Sequence, residues 1–87
     1  MIWRVVFTKR ALKDAKKLSA AGLRSNAETL LDILRENPYQ KPPSFEKLIG
    51  DLSGAYSRRI NIQQRLIYKI INDEKTVKVI RMWTHYE

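Results

Sequence analysis

The chain has 87 residues, with 17 Lys and Arg against 9 Asp and Glu, a net charge of +8. That length fits one domain, 1–87, and a hydrophobic content of 44% is too high for a disordered basic tail. The absence of cysteine and the single histidine, His85, exclude disulfide frameworks, thiolate nucleophiles, zinc–cysteine sites and multi-histidine metal sites.

No apolar run reaches the roughly 18–20 residues of a membrane span. The apolar stretch Ile2 to Phe7 is too short for a signal peptide, so a cytoplasmic domain without membrane contact is expected. The charge divides as +5 over residues 1–44 and +3 over 45–87, so it belongs to the folded body rather than to a tail. Such a surface either keeps a small protein soluble or meets an anion, with nucleic acid favoured over an acidic protein segment.

Ile2 to Phe7, β-branched and aromatic apart from Arg4, reads as a first strand. Thr8 caps a helix over Lys9 to Ser19. Ala11, Ala15 and Leu18 form its buried stripe, and Lys9, Lys13, Lys16 and Lys17 share another face. Ala20-Ala21-Gly22 ends that helix. A second helix, Leu23 to Glu36, carries the stripe Leu23, Ala27, Leu30, Leu31 and Leu34 and stops at Asn37-Pro38.

Pro38 to Gly54 holds all three prolines and two of the three glycines and reads as a loop, pinned to the core by Phe45 and Leu48. Strand signals follow at Tyr56–Ile62, Leu66–Ile71 and Thr76–Trp83. The turns Gln63-Gln64 and Asn72–Lys75 between them are short, which makes these strands antiparallel neighbours. The order β-α-α-β-β-β predicts an α+β domain, a helical hairpin packed on one face of a twisted antiparallel sheet.

The face without helices is free to bind. Arg58, Arg59, Arg65, Lys69, Lys78 and Arg81 lie in the sheet half with Tyr56, Tyr68, Trp83 and Tyr86 interleaved. Cations beside aromatic rings suit single-stranded nucleic acid, phosphates needing charge and splayed bases needing stacking surfaces. A core role for Tyr68 and Trp83, with the arginines simply solvated, is the alternative for each residue alone. RNA cleavage asks for more: a base for the 2′-hydroxyl, a cation for the phosphorane and an acid for the leaving 5′-oxygen. The residue types available are Glu46 in the loop, arginine as a forked clamp, and His85, histidine being the side chain whose unperturbed pKa lies near neutrality. Taken alone, Glu46 reads as a solvated loop carboxylate and His85 as a frayed terminal residue.

The run Asp51-Leu52-Ser53-Gly54-Ala55-Tyr56-Ser57-Arg58-Arg59-Ile60, then Arg65-Leu66-Ile67-Tyr68 and the closing Arg81-Met82-Trp83-Thr84-His85-Tyr86-Glu87, resemble the Txe/YoeB family of bacterial toxins, within the RelE-like superfamily. Upstream, Asn37-Pro38-Tyr39 and Phe45-Glu46-Lys47-Leu48 are similar to the family's proline-bearing loop and E-x-L. The resemblance implies a RelE-like, microbial-RNase-like fold and a metal-independent endoribonuclease with no cofactor. It implies Glu46 as general base, Arg65 as phosphate clamp, His85 as general acid and Tyr86 as orienting residue. Arg58, Arg59, Lys47, Tyr56 and Arg81 are the expected RNA contacts. The third residue after the glutamate is basic in some relatives; here it is Ile49, with Lys47 close by.

The implied partners are a small acidic antitoxin, the ribosome with messenger RNA at its A site, and operator DNA only through the antitoxin. Relatives can form homodimers, and the sequence leaves that open. The competing reading is a non-catalytic basic module that grips RNA or an acidic partner.

Overall fold

Arg4–Phe7 forms β1, Lys9–Ala20 α1, Arg24–Glu36 α2, Glu46–Lys47 β2, Ala55–Arg59 β3, Arg65–Ile71 β4 and Thr76–Thr84 β5. The computed structural model describes residues 2–50 and 53–84. The strands make one five-stranded sheet in the order β1-β5-β4-β3-β2. The expected element order holds, with two differences. β1 runs parallel to β5, Val5 opposite Val77 and Phe7 opposite Val79, so the sheet is mixed rather than antiparallel. A helical crossover can return the chain in the parallel sense, which a short turn cannot, and β1 reaches the sheet only through the helical hairpin. The second difference is β2, two residues inside the expected loop, paired with β3. So short a strand leaves no alternating pattern to read.

The helices begin and end largely for the expected reasons. Thr8 caps α1, its Oγ1 accepting from the Ala11 N–H at 3.1 Å. After Ala20 the chain turns at Gly22 with φ +75°, a left-handed conformation that glycine adopts without a Cβ penalty. α2 has no side-chain cap, and Arg24 in its first turn pairs instead with Glu28 at 3.0 Å. β3 stops earlier than expected because the Asn61 Oδ1 accepts from the N–H groups of Gln63 and Gln64, 2.9 and 2.7 Å. This side-chain turn, closed by the Ile60 N–H to the Gln64 carbonyl, leads into β4.

The core is the two helical stripes laid on the sheet. Ala11 and Leu18 of α1 and Ala27, Leu30, Leu31 and Leu34 of α2 are buried against Leu66, Tyr68, Val77, Val79 and Met82. One member of the α1 stripe is not apolar. Asp14, three residues from Ala11 and four from Leu18, is 3% exposed. Its Oδ2 accepts from Arg81 Nε at 2.8 Å and from the Met82 N–H at 3.0 Å.

That contact sits where β5 is irregular. Val79 opposes Tyr68, Arg81 opposes Ile67 and Thr84 opposes Arg65, so β5 carries one extra residue at Ile80 and a second over Met82-Trp83. A bulge leaves backbone groups without strand partners, and α1 supplies them. Thr8 Oγ1 donates to the Ile80 carbonyl at 2.8 Å, and Asp14 takes the Met82 N–H. Burial pushes the Asp14 carboxyl up, but the Arg81 hydrogen bond, the Met82 and Trp83 N–H groups and the Arg81 charge outweigh it and hold it below its ordinary value.

Removing one partner of a buried ion pair strands the other, so Asp14→Ala should lower stability by about 3 kcal/mol in urea unfolding. Because the folded-state pKa is depressed, Asp14 stabilises fully above about pH 4, and this contribution is lost as pH falls through the folded value. Wild type should therefore lose more stability between about pH 5 and 2 than Asp14→Asn does. Parallel curves for the two proteins would show that the carboxylate contributes nothing there.

Candidate active site

Strand alternation sets the open face. Ala55, Ser57 and Arg59 of β3 stand beside Lys69, Ile67 and Arg65 of β4, and β2 places Glu46 opposite Ser57. Arg65 Nη1 donates to Glu46 Oε1 and to Ser57 Oγ, each at 3.2 Å. The Arg65 side chain is 13% exposed and that of Glu46 63%, so the guanidinium is held while the carboxylate faces solvent. Pro43, Ser44, Glu46, Ser57, Arg59 and Arg65 enclose a cleft of about 280 Å³. Beside it a small apolar cluster on this face, Leu48, Ala55, Ile67 and Ile80, stiffens the strands that present these groups.

Two arginines, Arg59 and Arg65, lie directly opposite each other on one face. Like charges so placed repel. Glu46 answers one of them, and Arg59 remains exposed at the cleft wall. The arrangement is a carboxylate next to an excess of forked cations, suited to a phosphate diester with a removable proton beside it. Further along the same face Lys69 stands opposite Lys78, a second like-charge pair. Thr84 of β5 is the partner of Arg65. His85 and Tyr86 follow Thr84 in the sequence and lie outside the described residues.

The structure brings Glu46, Arg65 and Arg59 together and sends four other expected RNA contacts elsewhere. Arg58 is 0% exposed. Its guanidinium donates to Tyr68 Oη and to the carbonyls of Pro38, Gln40 and Pro43, leaving it no reach to a phosphate. Neighbouring residues of a strand face opposite ways, so Arg58 and Arg59 never share a surface. Tyr56 lies on the side opposite Ser57, its ring stacked on Tyr68 at 5.8 Å and in edge contact with Phe45 at 5.5 Å. Lys47 stands opposite Tyr56 in the ladder and so on the far side of β2 from Glu46. Arg81 is bound to Asp14 and donates to the Trp83 carbonyl at 3.2 Å.

Tyr68 is fully buried, and Trp83 packs on the main core. Burial pushes the Tyr68 hydroxyl up, partly countered by the Arg58 charge and hydrogen bond. The interleaved aromatic platform expected on the open face is therefore absent among the described residues. Ser57, which orients Arg65, was not anticipated; its position two residues before Arg59 was the available signal. Phe45 and Leu48 do pin the loop, Phe45 through Tyr56 and Leu48 in the small cluster.

A family model described as a YoeB-like toxin of bacterial type II toxin–antitoxin systems matches residues 7–86. The chain belongs to that family. A Streptomyces coelicolor protein named Toxin YoeB is 40% identical over 57 residues, 66% of this chain and 64% of that protein. The chain thus spans less than two thirds of that relative's length. Among solved structures, a YoeB/ParE toxin from Agrobacterium tumefaciens superposes with a TM-score of 0.84 at 25% identity, over 95% of this chain and 99% of that one. A YoeB-YefM complex from Staphylococcus aureus gives 0.78 at 29% identity, covering 97% and 98%. The α+β fold is thus RelE-like, and among the described residues no helix is long and apolar enough to cross a membrane.

An ion pair whose carboxylate is as exposed as that of Glu46 contributes little to stability. Glu46→Gln should change the unfolding free energy by less than about 1 kcal/mol. Tyr68→Phe, which leaves the buried Arg58 Nε without an acceptor, should cost about 1–3 kcal/mol. Urea denaturation of both variants checks the contrast, and equal costs would contradict the division between cleft and core.

Proposed function

We propose that the chain is the toxin of a type II toxin–antitoxin pair, a metal-independent endoribonuclease that cuts messenger RNA in the ribosomal A site and so stops translation. The observation that carries this reading is the Glu46 carboxylate 3.2 Å from Arg65 in a cleft that also holds Arg59, with Arg65 opposite Thr84, the residue before His85. Family membership supports it.

In the proposed reaction Glu46 takes the proton of a ribose 2′-hydroxyl, and that oxygen attacks the adjacent phosphorus. Arg65, with Arg59 beside it, stabilises the charge that builds on the phosphoryl oxygens. The bond from phosphorus to the 5′-oxygen breaks, His85 donates the proton that this oxygen needs, and the product is a 2′,3′-cyclic phosphate. Tyr86 orients the RNA. Ser57 keeps the Arg65 fork aimed into the cleft. No step calls for a metal or a cofactor, since the substrate brings its own nucleophile.

The positive charge outside the cleft has a separate task. The exposed Lys9, Lys13, Lys16 and Lys17 of α1 would dock the domain on ribosomal RNA, a contact that weakens steeply with salt. The cognate antitoxin would be a small acidic protein, in line with the solved Staphylococcus aureus toxin in complex with YefM, and would carry the operator-DNA contact. Its place of action would be the cytoplasm, where translation occurs. A module that only grips RNA is less favoured, because among the described residues the aromatic stacking surface it needs is turned into the core.

Primer extension on translated messenger RNA tests the proposal. Glu46→Gln, Arg65→Ala and His85→Ala should each slow cleavage by about 10²–10⁴-fold. Chelation of free metal, with ribosome integrity held constant, should leave the cuts in place. Undiminished cutting by all three variants, or loss of cutting on chelation alone, would sink the mechanism.

A further inference from the structure

Arg58 is a buried cation whose described partners are all neutral. Nε donates to Tyr68 Oη at 2.8 Å, Nη1 to the Pro43 carbonyl at 2.7 Å, and Nη2 to the Pro38 and Gln40 carbonyls, both at 2.9 Å. The guanidinium carbon also lies 4.9 Å from the centroid of the Phe45 ring. Burying a charge is costly unless its hydrogen bonds are made. Here the bonds all go to one stretch of chain and to the tyrosine that anchors it in the core.

That stretch, residues 38–45, is tied near its start by Tyr39, whose Oη donates to Asn72 Oδ1 at 2.9 Å, and has few bonds of its own toward Glu46. Its three prolines have no N–H to donate, so backbone hydrogen bonds of its own are few. Arg58 gathers its carbonyls from one end to the other, and Phe45 is further fixed by its edge contact with Tyr56. The stretch ends at Phe45, and the next residue is Glu46. Pro43, bonded to Arg58, is itself a wall of the cleft. From the other side Glu46 is held by the two-residue β2 and by Leu48, buried in the small cluster with its N–H on the Ala55 carbonyl at 2.9 Å.

We infer that Arg58 is a positioning residue for Glu46: clamping residues 38–45 from behind the sheet, it sets where the proposed base sits against Arg65 without touching RNA. The inference rests on the proposed role of Glu46. A lysine keeps the charge but lacks the planar fork that reaches four oxygens, so Arg58→Lys isolates the clamp from the charge.

The test uses the whole chain in three measurements. In hydrogen exchange, the Glu46–Leu48 amides of Arg58→Lys should exchange about tenfold faster than in wild type while α1 and α2 keep their protection. In single-turnover cleavage of translated messenger RNA, Arg58→Lys should lose about 10²-fold, with binding of a 2′-deoxy, uncleavable message within about twofold of wild type. In the Glu46→Gln background the same substitution should cost less than about threefold more, because the group it positions is already gone.

Equal losses in both backgrounds, or unchanged exchange at Glu46–Leu48, would overturn the inference. Should Arg58→Lys fail to fold, Tyr68→Phe removes the acceptor of Nε and leaves the loop itself unchanged, and it should show an exchange change in the same direction and the same dependence on Glu46. If the wild-type chain cuts no message, the proposed chemistry fails by itself, and the exchange measurement alone still decides whether Arg58 holds the Glu46 segment.

Discussion

The irregular stretch of β5 from Ile80 to Trp83 is the constraint from which the rest of the molecule takes its geometry. An extra residue in a strand leaves backbone groups that the ladder cannot pair, and in a buried strand those groups need partners. α1 provides them with the cap residue Thr8 and the carboxylate Asp14. The same two side chains therefore fix where the helix starts, how it lies on the sheet, and where β5 bends. Beyond the bend, β5 delivers Thr84 to Arg65. A helix cap and an ion pair on one side of the sheet thus set the register of the cleft on the other side.

What could be read from the chain divides along the same line. The apolar stripes of both helices follow from a period of 3.6 and were legible, because that signal is local. The glutamate, Arg65 and Arg59 were legible as chemistry. Arg58 was not, although strand alternation alone states that adjacent arginines cannot both face one ligand. Its phase with Tyr56 and Ile60, both core-facing, marked it as inward. Asp14 carried a similar mark, standing in the stripe of Ala11 and Leu18. In each case the residue type argued for the surface and the periodicity for the interior, and periodicity prevailed because hydrogen-bond partners were waiting inside. The parallel pairing of β1 and the short β2 had no local signature, being set by contacts distant in sequence.

The charge of +8 thereby separates into three uses. Arg58 and Arg81 are structural cations, one holding carbonyls and the other a buried carboxylate. Arg59, Arg65, Lys69 and Lys78 share the open face of the sheet, where paired like charges attract an anion at some expense to the isolated strands. The lysines of α1 are exposed on the helical side of the sheet, away from the cleft, and are the docking surface of the proposed function. Net charge alone does not tell these apart; burial and partner do.

The sheet order has a consequence for how such a chain comes into being. β5 follows the other described strands in the chain, yet it lies between β1 and β4. Until residues 76–84 have emerged, β1 has no strand neighbour, α1 lacks the strand it packs on most, and the β2–β3–β4 meander has a bare edge. Nothing N-terminal to β5 is a domain in its own right. A message broken or a chain clipped ahead of that strand therefore yields neither cleft nor core, and the polypeptide acquires its structure and its proposed cutting site in the same late step.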